Sequence, residues 1–370
     1  MAAIREDELW TALRTVNDPE LKRDLVSLNM VKNLLANDDG SVSLSVILTT
    51  PACPLKGVIE SDIKAALIKV KGVKKITVDF GSNVTSQARP GELAKGVRNI
   101  IGVASGKGGV GKSTVSVNLA AALAKTGARV GLLDADIYGP NVPLMSGLQG
   151  AEATVAVYEN RDGTKTEMIE PVQRHGLKIM SMGFLLHEDQ PVMWRGPMLN
   201  SALRQFFGQV DWGELDYLIV DLPPGTGDVQ ISLLQLVKVR GIVHVTTPQD
   251  VALQDVRRGI AMFQSQNVPL LGIIENMSFF CCPKCGEQTD IFSHGGGRRI
   301  AETLGVPFFG EIPLSMEIRE SGDSGAPVVL SRPDSEHAKR FIEAAEQLAA
   351  RISVLNYETA GDLSPVGPAV

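Results

Sequence analysis

The stretch IIGVASGKGGVGKSTVSVNLAAALAKTG, residues 100–127, decides how the chain folds. Its apolar start reads as a buried strand, and the part from Lys112 to about Thr126 reads as a helix. Between them, Gly106-Lys107-Gly108-Gly109-Val110-Gly111-Lys112-Ser113 satisfies the pattern G-x-x-x-x-G-K-[ST]. Glycines let the backbone curl until its N–H groups face an anion, and the helix N-terminus adds its positive dipole end. Residues Gly106 to Thr114 are therefore expected to cradle the phosphates of a nucleotide. Lys112 is expected against the β- and γ-phosphates, with Ser113 supplying an oxygen to Mg²⁺.

Outward from this loop, short apolar segments alternate with amphipathic ones. RVGLLD (129–134), DYLIVD (216–221), IVHVTT (242–247) and LLGIIEN (270–276) read as further strands. Strand–helix alternation builds right-handed βαβ units, so the expected fold class is α/β with a mainly parallel sheet flanked by helices, over 97–355. A small α+β domain is expected at 1–82. There, Leu9, Leu13 and Val16 recur at helical spacing, while Val42, Leu44, Val46 and Leu48 alternate like a half-buried strand. Leu55, Ile59, Ile63 and Leu67 form a second helical stripe, and Ile76, Val78 and Phe80 a second alternating strand. The polar run at 83–96 reads as a linker, and the Gly- and Pro-rich end, 356–370, as a flexible tail.

The net charge of −6 argues against a dedicated nucleic-acid binder, which normally carries a basic face. No apolar run reaches membrane-spanning length, and MAAIREDELW lacks the basic start and apolar core of a signal peptide. The expected location is the cytoplasm, without nucleic-acid or membrane partners.

Two further positions suit a nucleotide site. Asp221 follows four apolar strand residues, the arrangement that holds Mg²⁺, and Pro223 to Gly227 would form a mobile sensor of the γ-phosphate. Asn276 ends a strand and carries an amide able to pair with adenine, and the chain has no NKxD-like guanine signature, which favours ATP.

Lys107 is a second lysine within the loop. The pattern resembles the deviant Walker A family, which includes MinD, ParA, the arsenite-pump ATPase and the nitrogenase iron protein. That resemblance implies a lysine acting in trans across a dimer, much as an arginine finger does. It also implies that Asp136, in DADIYGPN, orients the attacking water and that Asp134 lies near Mg²⁺. The plainer readings are a solvated loop lysine and a turn or cap for the aspartate pair.

Of the four cysteines, Cys53, Cys281, Cys282 and Cys285, three fall within five positions, which suits metal ligation better than a disulfide framework. Cys282-Pro283-Lys284-Cys285-Gly286 is a C-x-x-C with residues suited to a tight turn, whose N–H groups would point at sulfur. One pair supplies only two ligands, and a two-fold homodimer would complete a set of four. A redox dithiol, bridging zinc and a bridging iron–sulfur cluster all remain open at this point. Cys281 does not fit the spacing, and His294, in FSHGGG, reads either as a ligand or as a capping residue in a turn.

GKGGVGKST, DADIYGPN, QPVMWRGPM, DLPPGTGD, TTPQDVAL, ENMS and CPKCG, in this order, resemble the Mrp/ApbC family of iron–sulfur cluster carrier ATPases over roughly 95–350. The resemblance implies ATP with Mg²⁺, and a labile 4Fe–4S cluster held between the Cys282 and Cys285 pairs of a homodimer. It further implies apo-protein clients and assembly scaffold proteins as partners. Residues 1–85 resemble the N-terminal iron–sulfur-assembly domain that frequently accompanies it. There Cys53 lies between a strand and a helix N-terminus, as a transient ligand or a buried small side chain. Trp194 and Arg195 receive no assigned chemistry.

Overall fold

The computed structural model describes residues 4–84, 93–137, 139–159, 163–185, 196–225 and 227–361. The chain divides into two units at residues 85/86, and residues from Ala349 onward group with the N-terminal unit.

The first unit begins with α1 (Glu6–Leu13), the two-residue strands β1 (Asn17–Asp18) and β2 (Arg23–Asp24), and β3 (Val31–Ala36). It continues with β4 (Ser41–Leu48), α2 (Lys56–Leu67) and β5 (Lys75–Ser82). Strand β4 is central, antiparallel to β3 and parallel to β5. Period-two alternation puts Val42, Leu44, Val46 and Leu48 on one face, where they join Ile59, Ile63 and Leu67 of α2 and Leu9 and Leu13 of α1. Each such side chain contributes about 1.5–3 kcal/mol on leaving water, which sets the register of the strand.

The second unit opens with β6 (Val97–Ser105), α3 (Lys112–Lys125), β7 (Val130–Asp134) and α4 (Val142–Met145). A two-stranded hairpin, β8 (Thr154–Glu159) with β9 (Lys165–Glu170), precedes β10 (Val172–Arg174) and β11 (Leu177–Ser181). Next come α5 (Gly196–Gly208), β12 (Leu215–Asp221), α6 (Asp228–Leu236), β13 (Val239–Thr246) and α7 (Asp250–Ser265). The remainder is β14 (Leu270–Cys281), β15 (Gln288–Thr289), α8 (Gly296–Leu304), β16 (Phe308–Leu314), α9 (Met316–Asp323), α10 (Val328–Ser331) and α11 (Glu336–Gly361).

The main sheet runs β10-β11-β7-β12-β6-β13-β14-β15, with β16 also beside β14. Its interior ladders are parallel, and only β10 and β15 join antiparallel. Central strands covered on both faces read as continuous apolar runs, as β7 and β12 do. Because the strands share one direction, the loops after β6, β7, β12 and β14 leave from the same edge. The crossover from β6 runs through α3 to β7 on one side, while the later strands β13 and β14 extend the sheet on the other, which opens a crevice at that edge.

One boundary differs from expectation. Residues 356–361, read as the start of a flexible tail, continue α11, and Asn356 is buried. Tyr357 explains the extension, since the Arg23 guanidinium lies 5.8 Å from its ring. Most of the expected linker (85–92), the Trp194–Arg195 segment and the tail beyond 361 fall outside the described residues.

Candidate functional site

The loop between β6 and α3 turns through Gly109 and Gly111, whose φ values are +77° and +79°. A Cβ on Gly111 would stand 2.2 Å from Nδ2 of Asn276, and one on Gly106 would strike Asp255 of α7 at 2.6 Å. Both positions thus require glycine. The loop, with Asp136, Asn141 and Pro224, surrounds a cavity of about 180 Å³.

Lys112 is buried and lies 2.8 Å from Oδ1 of Asp221 and 3.9 Å from Asp136. Ser113 Oγ donates to Oδ2 of Asp221 at 2.6 Å, and Ser116 Oγ donates to Oδ1 at 2.7 Å. A hydroxyl and a carboxylate, both hard oxygen donors, fit Mg²⁺. Asp136 is half-buried, and its pKa is raised by burial against the opposing pull of the Lys112 charge. Lys107 lines the same cavity and reaches the neutral amide oxygen of Gln249 at 3.5 Å.

Asp134 lies beside Asp221, and its own contacts tie it to the neighbouring backbone. It is fully buried, and its carboxylate accepts from the N–H groups of Asp136 and Val142 and from Ser181 Oγ, at 3.1–3.2 Å. Burial and the Asp221 charge beside it push its pKa up. The cause lies in register, which sets Asp134 directly opposite Asp221 and Ser181. Asp134 holds the loop after β7.

A larger cavity of about 470 Å³ adjoins the first and shares Gly111, Thr114 and Met145 with it. Its walls are mostly apolar, including Met277, Phe280, Pro313 and Leu314, with Asn276 at the border. A polar anion cradle opening into an apolar chamber suits a nucleotide's phosphates and base. Asn276 also does something its sequence position hides: Nδ2 donates to the carbonyl of Val110 at 2.8 Å, tying β14 to the loop. One N–H and the oxygen of the amide are left for a base.

Gln230 belongs to the site without any motif to announce it. Its amide donates to the carbonyls of Pro223 and Gly225 at 2.8 and 2.6 Å, pinning the segment after Asp221. Thr226 in that segment is outside the described residues.

At the far end of β14 the chain makes a tight turn into β15. Gly286, at φ +75°, donates to the carbonyl of Cys282 at 2.8 Å, and Cys282 N–H donates to Glu287 O at 2.9 Å. The backbone of Lys284 and Cys285 and the Cys285 thiol lie close to the Cys282 sulfur and lower its pKa. The two sulfurs therefore converge, and Cys285 is exposed. Cys281 donates instead to Gly286 O at 3.4 Å. His294 sits in the turn before α8 and pairs with Glu311 at 3.2 Å. Cys53 lies between β4 and α2, half-buried against the first unit's core.

A parallel sheet with this loop at its crevice, a lysine on the buried strand-end aspartate and a hydroxyl beside it defines a P-loop NTPase. Residues 96–349 match the family described as NUBPL iron-transfer P-loop NTPase, and residues 6–80 match one described as iron–sulfur cluster assembly protein. The chain belongs to the NUBPL iron-transfer P-loop NTPase family, which bears out the resemblance to iron–sulfur carrier ATPases. It is 51% identical over 351 residues to an iron-sulfur cluster carrier protein of Synechocystis sp., covering 94% of this chain and 98% of that one. A carrier protein of the same description from Deinococcus radiodurans is 51% identical over 97% of this chain and 99% of its own. Among solved structures, a nucleotide-binding protein of Archaeoglobus fulgidus in complex with ADP is similar, with TM-score 0.53 and 40% identity. That match covers 62% of this chain and 87% of that one. No described helix is long and apolar enough to cross a membrane.

Proposed function

We propose that the protein is an ATP-hydrolysing carrier that holds a 4Fe–4S cluster between the cysteine turns of two subunits and passes it to apo-proteins. The observation that carries this reading is the Cys282–Cys285 turn, where two converging sulfurs supply half of a four-ligand set. The relatives' description as cluster carriers supports the cargo, and the ADP-bound relative supports the nucleotide.

In hydrolysis, the backbone N–H groups of the loop and Lys112 hold the β- and γ-phosphates. Ser113 and Asp221 would hold Mg²⁺, which neutralises charge on the phosphate oxygens when bound. Asp136 orients a water for attack on the γ-phosphorus, the bond to the ADP oxygen breaks, and Lys107 of one subunit stabilises charge at its partner's nucleotide. Asp134 and Gln230 keep the two flanking loops in place.

Anaerobic reconstitution tests the cargo. The expected product carries about four iron atoms per two chains, with visible absorption that Cys282→Ala or Cys285→Ala abolishes. Purified protein that takes up zinc but no iron, or stays monomeric when fully loaded, would overturn the reading.

A further inference from the structure

Strand β14 joins the two sites directly, with Asn276 on the phosphate loop and Cys281 leading into the cysteine turn. Between these points its ladder with β16 breaks. Asn276 lies opposite Ile312 and Phe280 opposite Leu314, so Met277, Ser278 and Phe279 face only Pro313. Proline has no N–H to donate, and the surplus residues form a bulge. Met277 adopts φ +54°, a left-handed conformation unusual for a long side chain.

The bulge residues point to three different places. Met277, with the neighbouring Phe280, lines the 470 Å³ cavity. Ser278 is fully buried and donates to Oε1 of Glu275 at 2.6 Å. Phe279 packs edge-on to the His294 ring, centroids 6.2 Å apart, and lies under the Arg340 guanidinium at 5.2 Å. Glu275 also accepts from the N–H groups of Gly295 and Gly297. Both ends of the segment that carries Cys282 and Cys285 are thus fastened to the bulge, one through Cys281 and the other through Glu275.

We propose that the Met277–Phe279 bulge is the positioning element that transmits nucleotide occupancy to the cysteine turn. A nucleotide in the cavity meets Met277 and Phe280 and engages the loop to which Asn276 is tied, and the bulge rearranges and re-aims Cys282. Packed elements of this kind change between discrete arrangements, so a small displacement at Met277 reaches the turn. The inference rests on the nucleotide reading of the cavity and is independent of which metal the cysteines carry.

The test uses full-length, reduced, cluster-free protein. Alkylation of Cys282 by iodoacetamide is followed by peptide mass spectrometry, with and without saturating magnesium and a non-hydrolysable ATP analogue. In the unmodified chain the nucleotide is expected to change the alkylation rate about fivefold or more, the lower range of site-to-site coupling. In Met277→Gly, where glycine adopts the positive φ without strain, and in Ser278→Ala, the change is expected to fall below about twofold. Nucleotide saturation is verified for each variant by titration. A response absent from the unmodified chain, or equally large in both variants, would overturn the proposal, the latter marking burial at a dimer face. Failure to bind nucleotide in the titration would instead sink the ATP reading itself, and the two failures are read separately.

Discussion

Lys107 and Lys112 are five residues apart in one loop, yet their surroundings differ sharply. Lys112 is buried against Asp221, whereas Lys107 is half-buried beside a neutral amide, with no carboxylate partner among the described residues. Lys107→Ala is expected to fold and to bind nucleotide within a few-fold of normal. Its turnover is expected to drop by about 10³-fold or more, the scale of a charge supplied in trans, measured by single-turnover hydrolysis. Unchanged turnover would refute the trans role. At this scale the loop is legible because spacing and residue type together imply the chemistry. Asp134 is not, because nothing in DADIYGPN says that its strand will run beside Asp221, whose charge and whose neighbours decide what that carboxyl does.

Among the elements, the cysteine turn depends on one backbone conformation. Gly286 stands at φ +75° with open space where a methyl group would stand, so Gly286→Ala adds backbone strain and no clash. The expected cost is about 1–3 kcal/mol, confined to the turn. It should emerge as hydrogen exchange at the residue-286 amide faster by about tenfold, with the sheet amides unchanged. An unchanged exchange rate would show that the turn is held by something other than this bend. Strands with long apolar runs, β6, β7, β12, β13 and β14, are visible in the sequence. β16 is not, because Gly310 and Pro313 interrupt its pattern, nor is β11, where Lys178 breaks a short run (LKIMS). The bulge in β14 is likewise invisible, since it exists only against Pro313 of a strand more than thirty residues away.

For the molecule as a whole, nucleotide and pH both act on stability. Ligand binding to the folded state alone adds about 2.7 kcal/mol at a free ATP concentration 100 times Kd. Thermal unfolding of the P-loop unit should therefore shift upward with magnesium and ATP, and Lys112→Ala should remove the shift. His244 of β13 is completely buried between the ladders to Ala104 and Ile273, and burial pulls its pKa from 6.5 to about 4. The unfolded chain then binds this proton where the folded chain does not, so stability is lost as pH falls from about 6.5 toward 4. The expected loss between pH 7 and 5 is about 2 kcal/mol, read from urea midpoints, and His244→Leu should flatten that slope. An equal slope in the variant would place the acid sensitivity elsewhere. By itself the amino-acid order determined the P-loop, the α/β alternation, the small leading domain and the C-x-x-C turn, since each is encoded within a dozen neighbouring residues by periodicity, glycine placement or spacing. Only the tertiary structure decided that Asp134 is a buried brace, that Gln230 pins the loop after Asp221, and that Asn276 fastens β14 to the phosphate loop. Those outcomes depend on which distant strands become neighbours and in what register, and pairing of that kind is settled by burial across the whole sheet.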